Sequence, residues 1–392
     1  MKKLNFTFAV FALLVTSSIF ANDILSHTKK DILNYSYEKS KEDSSKLKND
    51  WINPITYKFI YNQGDEYTTS KSFISVSQPI FKSGGIYYAI KYANSMEKLG
   101  KTTIDTQKKE LVKQALNLLF EINKIDITIE KQKLLIRNAK LDIDRKKEQV
   151  LNGILDTSFL DNAIIESNMK ENSLIDLEYQ KYSLINNLSK ISNKSYHELE
   201  LPTFSLLDES AYIENNIYLK QVKEDIDSSY WMKNMVTSNY LPTINLTADY
   251  TKYHETDDMT SLQGEDTFKN IGFNITIPLD IKYSYNIASY KLAYLQKKLT
   301  LEDTKQDELL KFKSLIQKIA SLDKKIEIAK KDVYLYDSLL TQMIEQQTVG
   351  MKTQSDVDTM INSKDIKKLD IKSLNIDKQI ELLEIYSRTI DG

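Results

Sequence analysis

The chain has 392 residues, and its 53 lysines and arginines nearly balance its 55 aspartates and glutamates, for a formal net charge of -2. We therefore expect no nucleic-acid partner, because domains that bind nucleic acid carry a surplus of basic residues. The chain contains no cysteine, which excludes a disulfide framework and a thiolate metal site. Its 9 glycines and 5 prolines are few for this length and favour long helices over a loop-rich fold.

The first 21 residues predict a secretory signal peptide. Lys2 and Lys3 form a charged start, an apolar run follows from Phe6 to Val15, and the small residue Ala21 ends a segment suited to cleavage. The alternative is an N-terminal membrane anchor, but the apolar run is shorter than the ~20 residues that span a bilayer. We expect export of the chain and removal of residues 1–21.

Two long stretches show the spacing of coiled-coil helices. One is a helix predicted to end near residue 150, and the other is a helix predicted over residues 282–347. In the second helix, apolar residues follow one another at alternating steps of three and four, and they are Phe312, Leu315, Ile319, Leu322, Ile326, Ala329, Val333, Tyr336, Leu340 and Met343. A period below 3.6 predicts helices that pack against each other with a left-handed supercoil.

Four segments alternate between apolar and polar residues, which is the period of a β-strand with one apolar face. They lie near residues 54–62, 69–80, 242–251 and 268–278. Each has about the ~9–11 residues that a membrane-spanning strand needs. The predicted lipid-facing residues are Tyr57, Phe59, Leu246, Phe273 and Ile275. The alternative is a soluble β-domain that buries the same face in its core.

The order helix, strand, strand, long helix, helix occurs twice, which predicts two structural repeats over residues 22–203 and 204–392. The first repeat ends with a helix over 158–192, and the second contains helices over 211–240 and 355–388. Gly153 and Gly350 interrupt the helical pattern at corresponding places. Four strands cannot close a barrel, and an open edge in lipid leaves unpaired backbone groups. If the strands span a membrane, several copies must therefore share one barrel.

This order of elements resembles that of the TolC-like outer-membrane factors of Gram-negative bacteria. The matching segments are Tyr240–Thr243, which enters a strand after a helix, Gln78–Gly85, which leaves a strand, and the turns at Gly153 and Gly350. The resemblance implies a mainly α protein with a small β part. In such a homotrimer, a shared twelve-stranded membrane β-barrel, with four strands per chain, continues as an α-barrel of long coiled-coil helices.

The resemblance also implies a function and a place in the cell. The protein would lie in the outer membrane and extend into the periplasm, as the outer-membrane channel of a tripartite efflux or type I secretion system. It would be a passive exit duct for drugs, toxic compounds or secreted protein. Its partners would be outer-membrane lipid, a periplasmic adaptor (membrane fusion) protein and an inner-membrane transporter. No cofactor is implied.

By the same resemblance, a gate lies at the periplasmic tip, near Gly153 and Gly350. The acidic ring position falls on Asp356, the basic latch position on Lys352, and Asp358 lies close by. Three copies of Asp356 around one axis would attract cations. The alternative role of Asp356 is to cap the helix that starts there.

Two positions depart from the family pattern at this tip. Phe159 stands where an acidic latch partner is expected, and Gln347 stands where a tyrosine is expected. A latch between Lys352 and a carboxylate would therefore need Asp156 or Asp161 as a substitute.

Other functions have less support from the sequence. A soluble periplasmic coiled-coil adaptor or chaperone and a surface adhesin remain alternatives, because both use long helices. An enzyme is not expected, since His27, His197 and His254 show no spacing typical of metal ligands and no phosphate-binding loop is present.

Overall fold

The computed structural model describes residues 24–65, 68–256 and 266–390, so the predicted signal peptide lies outside the described residues. The helices are α1 (His27–Asn49), α2 (Gly85–Leu151), α3 (Thr157–Ser189), α4 (Glu209–Glu214), α5 (Ile217–Ser238), α6 (Tyr283–Thr348) and α7 (Gln354–Tyr386), with a short 3-10 helix at Tyr196–Glu198. The strands are β1 (Thr56–Gln63), β2 (Thr68–Phe81), β3 (Thr243–Thr256) and β4 (Thr267–Thr276). The two long helices predicted from the apolar spacing, α2 and α6, have 67 and 66 residues.

The prediction of a single helix over residues 211–240 is wrong. The structure has the short helix α4, which ends at Glu214, and a separate helix α5, which starts at Ile217. The C-terminal segment pairs with the chain at this break. The Ile217 N–H donates to the Arg388 carbonyl at 2.9 Å, and the Ile390 N–H donates to the Asn215 carbonyl at 2.7 Å.

The four strands form one antiparallel sheet in the order β1-β2-β3-β4. The central pair, β2 with β3, joins the two halves of the sequence, with Ile74 opposite Tyr250 and Val76 opposite Ala248. Both central strands have 14 residues and are longer than predicted. β3 continues to Thr256, beyond its predicted end at residue 251.

The chain divides into two compact units. Among the described residues, a sheet unit lies within Leu33–Asp105 and Tyr218–Lys305, and a helical unit consists of 24–32, Thr106–Ile217 and 306–390. Each unit takes segments from both halves of the sequence. The predicted boundary between repeats, at residues 203 and 204, stays a prediction.

Ion pairs between antiparallel helices fix the helix order in the helical unit. Lys131 of α2 pairs with Asp370 of α7 at 2.6 Å, and Lys378 of α7 pairs with Asp323 of α6 at 2.6 Å. On its other side, α2 packs against α3, and Lys181 of α3 pairs with Asp126 of α2 at 2.7 Å. The order in this unit is therefore α3, α2, α7, α6.

The apolar spacing of α6 corresponds to its buried side. Phe312, Leu315, Ile319, Ile326 and Ala329 are buried, and the remaining predicted positions of this series are half-buried. Phe312, Leu315 and Ile319 pack with residues that include Leu382 and Ile385 of α7. The spacing therefore identified the face by which α6 packs inside the helical unit.

A buried carboxylate lies close to the break between α4 and α5. Glu308 of α6 is 7% exposed, and its carboxylate accepts hydrogen bonds from the Tyr212 hydroxyl at 2.6 Å and the Asn216 amide at 2.8 Å. Arg388 pairs with it at 2.7 Å. Burial raises the pKa of the Tyr212 hydroxyl, which keeps this group a hydrogen-bond donor. Because a buried charge is costly without partners, this cluster fixes the C-terminal segment against α6.

Candidate channel surface and helical turns

The register of the sheet places the predicted lipid-facing residues on a single face. Tyr57 lies opposite Ile74, which lies opposite Tyr250 in the next strand, and Leu246 lies opposite Phe273. Because residues that are directly opposite in a sheet share a face, one apolar face crosses all four strands. Its members are Tyr57, Phe59, Tyr61, Ile74, Val76, Ile244, Leu246, Ala248, Tyr250, Ile271, Phe273 and Ile275.

The apolar face is exposed within this chain. The exposed fraction is 63% for Tyr57, 57% for Phe59, 45% for Leu246, 71% for Phe273 and 60% for Ile275. The alternative in which the sheet buries this face in its own core therefore does not apply to the described chain. A contiguous exposed apolar surface of this kind needs a partner or a membrane to cover it.

The opposite face of the sheet is mainly polar. The Asn245 amide donates to the Asn274 side-chain oxygen at 3.0 Å, and the Thr247 hydroxyl donates to the Gly272 carbonyl at 3.1 Å. Phe73, which interrupts the alternation in the sequence, lies on this face opposite Thr251. A polar face of this composition is compatible with contact to water.

The sheet also has two open edges. Within the described residues, β1 pairs only with β2, and β4 pairs only with β3. The outer N–H and C=O groups of both edge strands are thus available to pair with another strand.

The glycine turns at Gly153 and Gly350 have the same local geometry. Their φ angles are 68° and 78°, in the left-handed region that favours glycine. In each turn the glycine N–H donates to the carbonyl three residues back, at 3.0 and 2.9 Å, and the next N–H donates to the carbonyl five residues back, at 2.8 and 2.9 Å. This pair of bonds is the Schellman motif at a helix C-terminus. The correspondence of the two turns therefore extends to individual hydrogen bonds.

The helices that follow the two turns are also matched. α3 and α7 each have 33 residues, and each has its N-cap three residues after the glycine, at Asp156 and Thr353. Asp156 accepts from the Ser158 N–H at 2.8 Å. Because Asp156 caps α3, its carboxylate is already engaged in this turn.

Asp356 belongs to a capping box at the start of α7. Its N–H donates to the Thr353 hydroxyl at 3.2 Å, and its carboxylate accepts from the Thr353 N–H at 3.1 Å. The Thr353 backbone N–H holds the pKa of the Asp356 carboxyl below its usual value. The structure thus shows the capping role that the sequence offered as the alternative, and Asp356 remains ionised at neutral pH.

Arg145 of α2 is a partner of Asp356 that the sequence reasoning missed. Its guanidinium lies 3.5 Å from the Asp356 carboxylate and also contacts Asp142 on its own helix. The chain has only three arginines, Arg137, Arg145 and Arg388. This scarcity among many lysines was the available signal, because arginine is the usual choice for directed contacts to carboxylates.

The other predicted tip residues lie on the surface of the same turn. Lys352 is exposed and contributes to the low pKa of Asp356, and the Asp358 carboxylate accepts from the Gln354 amide at 2.7 Å. Gln347, which stands at the position of the expected tyrosine, donates to the same Gln354 side chain at 2.6 Å. Phe159 is half exposed.

No helix in the described part of the chain combines the length and the apolar character that a membrane crossing requires.

Neither protein-family models nor curated proteins gave a match to the sequence. Solved structures did match. The outer membrane protein VceC from Vibrio cholerae is 13% identical, with a TM-score of 0.72 over 96% of this chain and 97% of that one. The Campylobacter jejuni CmeC outer membrane channel is 11% identical, with a TM-score of 0.74 over 96% and 85%. The open state of the Neisseria gonorrhoeae MtrE outer membrane channel is 12% identical, with a TM-score of 0.64 over 96% and 88%.

This chain has the fold of bacterial outer-membrane channels. The similarity covers nearly the whole chain and nearly the whole of VceC, so it includes both the sheet and the helices. The fold predicted from the order of the elements, mainly α with a small four-stranded β part, is thereby confirmed.

Proposed function

We propose that the protein is the outer-membrane channel of a tripartite efflux or type I secretion system, lying in the cell outer membrane and extending into the periplasm. The observation that carries this proposal is the exposed apolar face of a sheet with two open edges, in a chain with the fold of outer-membrane channels. Lipid would cover the apolar face, and the polar face would line water. Drugs, toxic compounds or secreted protein would leave through the duct passively.

The open edges support a homotrimer. In a bilayer, each unpaired backbone group at an edge costs several kcal/mol, on the order of a lost hydrogen bond in an apolar medium. If β1 of one copy pairs with β4 of the next, three copies form a closed ring of twelve strands. This closure removes both edges of every chain at once.

Cysteine cross-linking in outer-membrane extracts tests this arrangement, because the chain has no cysteine of its own. One cysteine replaces Ile60 in β1, and a second replaces Asn270, Gly272 or Asn274 in β4, so that the neighbouring register is sampled. We expect extraction only with detergent and an oxidation product of three chains for at least one pair. The matched control has cysteines at Ser77 and Thr247, which lie opposite each other inside the sheet, and should give a single chain.

Three results would contradict the proposal. A chain that appears in the periplasmic wash without detergent would favour the soluble adaptor or chaperone. Helices that are cut by protease on intact cells would favour the surface adhesin. Detergent-extracted protein that stays a single chain for every β1–β4 pair would reject the shared barrel.

The partners in this proposal are a periplasmic adaptor and an inner-membrane transporter. The two glycine turns support adaptor docking, because the apolar residues beside them, Leu151, Ile154, Val349 and Met351, are 68% to 77% exposed. These side chains are available to pack against another protein. Energy and substrate choice would then come from the transporter.

We also propose that Asp356 contributes to a cation-binding constriction at the tip, together with Lys352 and Asp358 around Gly350 and Gly153. Support comes from its ionised carboxylate and its place at the start of α7. In single-channel recordings, Asp356→Ala should weaken the block by divalent cations, because three negative charges leave the axis. Thr353→Ala is the control, since it removes the cap and keeps the carboxylate. Equal loss of block in both variants, or unchanged block in Asp356→Ala, would remove Asp356 from the constriction.

A further inference from the structure

A row of hydrogen-bond donors crosses the sheet on its apolar face. Ser72 of β2 lies opposite Lys252 of β3, and its hydroxyl is 2.8 Å from the His254 ring nitrogen Nε2. The Tyr57 hydroxyl of β1 is 3.2 Å from the same Ser72 oxygen. Lys269 of β4 lies diagonal to Lys252, because it stands opposite Tyr250. Such diagonal neighbours are within reach of long side chains. All four strands therefore contribute a donor to this row.

The charge of the row has one sign. Among strand residues with described side chains, the apolar face carries Lys252, Lys269 and His254 and no carboxylate. The single aspartate of the strands, Asp249, lies on the opposite face, because it pairs with Ser75. Lys252, Lys269 and His254 are exposed. The row thus offers two lysine ammonium groups together with hydroxyl groups, and the register places Glu255 next to it, opposite Ser70.

On β3 and β4 the row lies at one border of the apolar surface, whereas on β1 Phe59 stands level with Ser72 and Tyr61 lies beyond the row. Along β4 the same face carries Ile275, Phe273 and Ile271 before it reaches Lys269, and along β3 it carries Leu246 and Ala248 before Lys252. Three apolar positions on alternate residues cover ~14 Å from the first to the last at ~3.4 Å per residue. The cations stand on the side of this surface toward the β1–β2 and β3–β4 connections, whereas the helices adjoin the strands at the other side.

We propose that this donor row, Tyr57, Ser72, Lys252, His254 and Lys269, binds the phosphate groups of a phosphorylated glycolipid in the outer leaflet. The inference rests on the proposed function, because the row faces lipid headgroups only if the apolar surface lies in a bilayer with the helices in the periplasm. Lysine ammonium groups and hydroxyls are phosphate ligands. A border between apolar residues and cations places these donors at headgroup depth, where anionic lipid attracts them.

Native mass spectrometry of the full chain, extracted from the outer membrane in detergent, tests this inference. The probes are diphosphorylated lipid A and the same lipid without its phosphates. We expect the wild-type chain to retain more of the phosphorylated probe than of the probe without phosphates. In Lys252→Gln/Lys269→Gln this preference should fall by about 10- to 30-fold, since two cations at the headgroup are removed. The matched control, Lys58→Gln/Lys71→Gln, removes two charges from the opposite face and should keep the preference.

The outcomes separate this inference from the proposed function. A wild-type chain that is extracted without detergent would contradict both the proposed function and this inference. A chain in the outer membrane that retains the two probes equally would end only the inference, and so would an equal loss in the two double variants. Loss of preference in Lys252→Gln/Lys269→Gln alone would support binding at this row.

Discussion

Gly153 and Gly350 show how much of the tip is fixed by single residues. Both adopt a positive φ, and a Cβ added to either would meet no atom within 4 Å. The space around them therefore permits any residue, and only the backbone conformation selects glycine. The sequence revealed both turns, because each glycine stands alone in a long stretch without other breakers.

At the residue scale we predict that Gly350→Ala lowers the free energy of unfolding by about 1–2 kcal/mol, because alanine pays the steric cost of the left-handed conformation. Urea unfolding of the detergent-extracted chain measures this change. Gly350→Asn should recover part of the loss, since asparagine tolerates this conformation better. An alanine variant as stable as the wild type would contradict the strain argument.

For Asp356, the sequence predicted the position in a helix start but not the ion-pair partner. The sequence placed it at a helix start, and the structure confirms a capping box with Thr353. Its partner Arg145 stands 211 positions away along the chain. No local spacing connects these two residues, so the ion pair became visible only when α2 and α7 were placed side by side.

At the scale of elements, periodicity predicted the regular parts and missed the break between α4 and α5. The buried side of α6 and the two faces of the sheet follow from the spacing of apolar residues alone. The break contains Asn215 and Asn216 and neither glycine nor proline. It is held by Glu308, which binds the Asn216 amide, and by the C-terminal segment, which forms a bridge from Thr389 to Asn216. Contacts this distant override local helix propensity, and a sequence pattern does not contain them.

For the strands we predict that Ile275→Lys impairs membrane insertion by roughly 2–4 kcal/mol if the residue lies near the bilayer midplane. The neighbouring variant Asn274→Lys is the control, because its side chain belongs to the polar face, opposite Asn245. Yield in the outer-membrane fraction, compared between the two variants, is the measurement. Equal yields would count against lipid contact for the apolar face.

At the scale of the whole molecule, the order α3, α2, α7, α6 in the helical unit leaves α3 and α6 at the two ends of the row of four long helices. Both have exposed apolar residues away from their packed sides. On α3 these include Ile175, Tyr179 and Tyr182, which are 63% to 72% exposed. On α6 they include Ile328 and Leu335, which are 60% and 55% exposed. The sequence predicted long helices and the apolar side by which each packs. The spacing within one chain does not show which further helix faces are covered by another chain.

If copies are arranged head to tail around an axis, α3 of one copy meets α6 of the next, and the contact closes into a ring. We therefore predict that Ile175→Glu/Tyr179→Glu reduces the trimer in detergent, because two charges would replace apolar side chains at the contact. Light scattering after size-exclusion chromatography measures the fraction of trimer. Ser173→Glu/Gln180→Glu adds the same charge at exposed positions of α3 outside this stripe and should leave the trimer intact. An unchanged trimer in Ile175→Glu/Tyr179→Glu would mean that this stripe of α3 faces something other than the neighbouring copy.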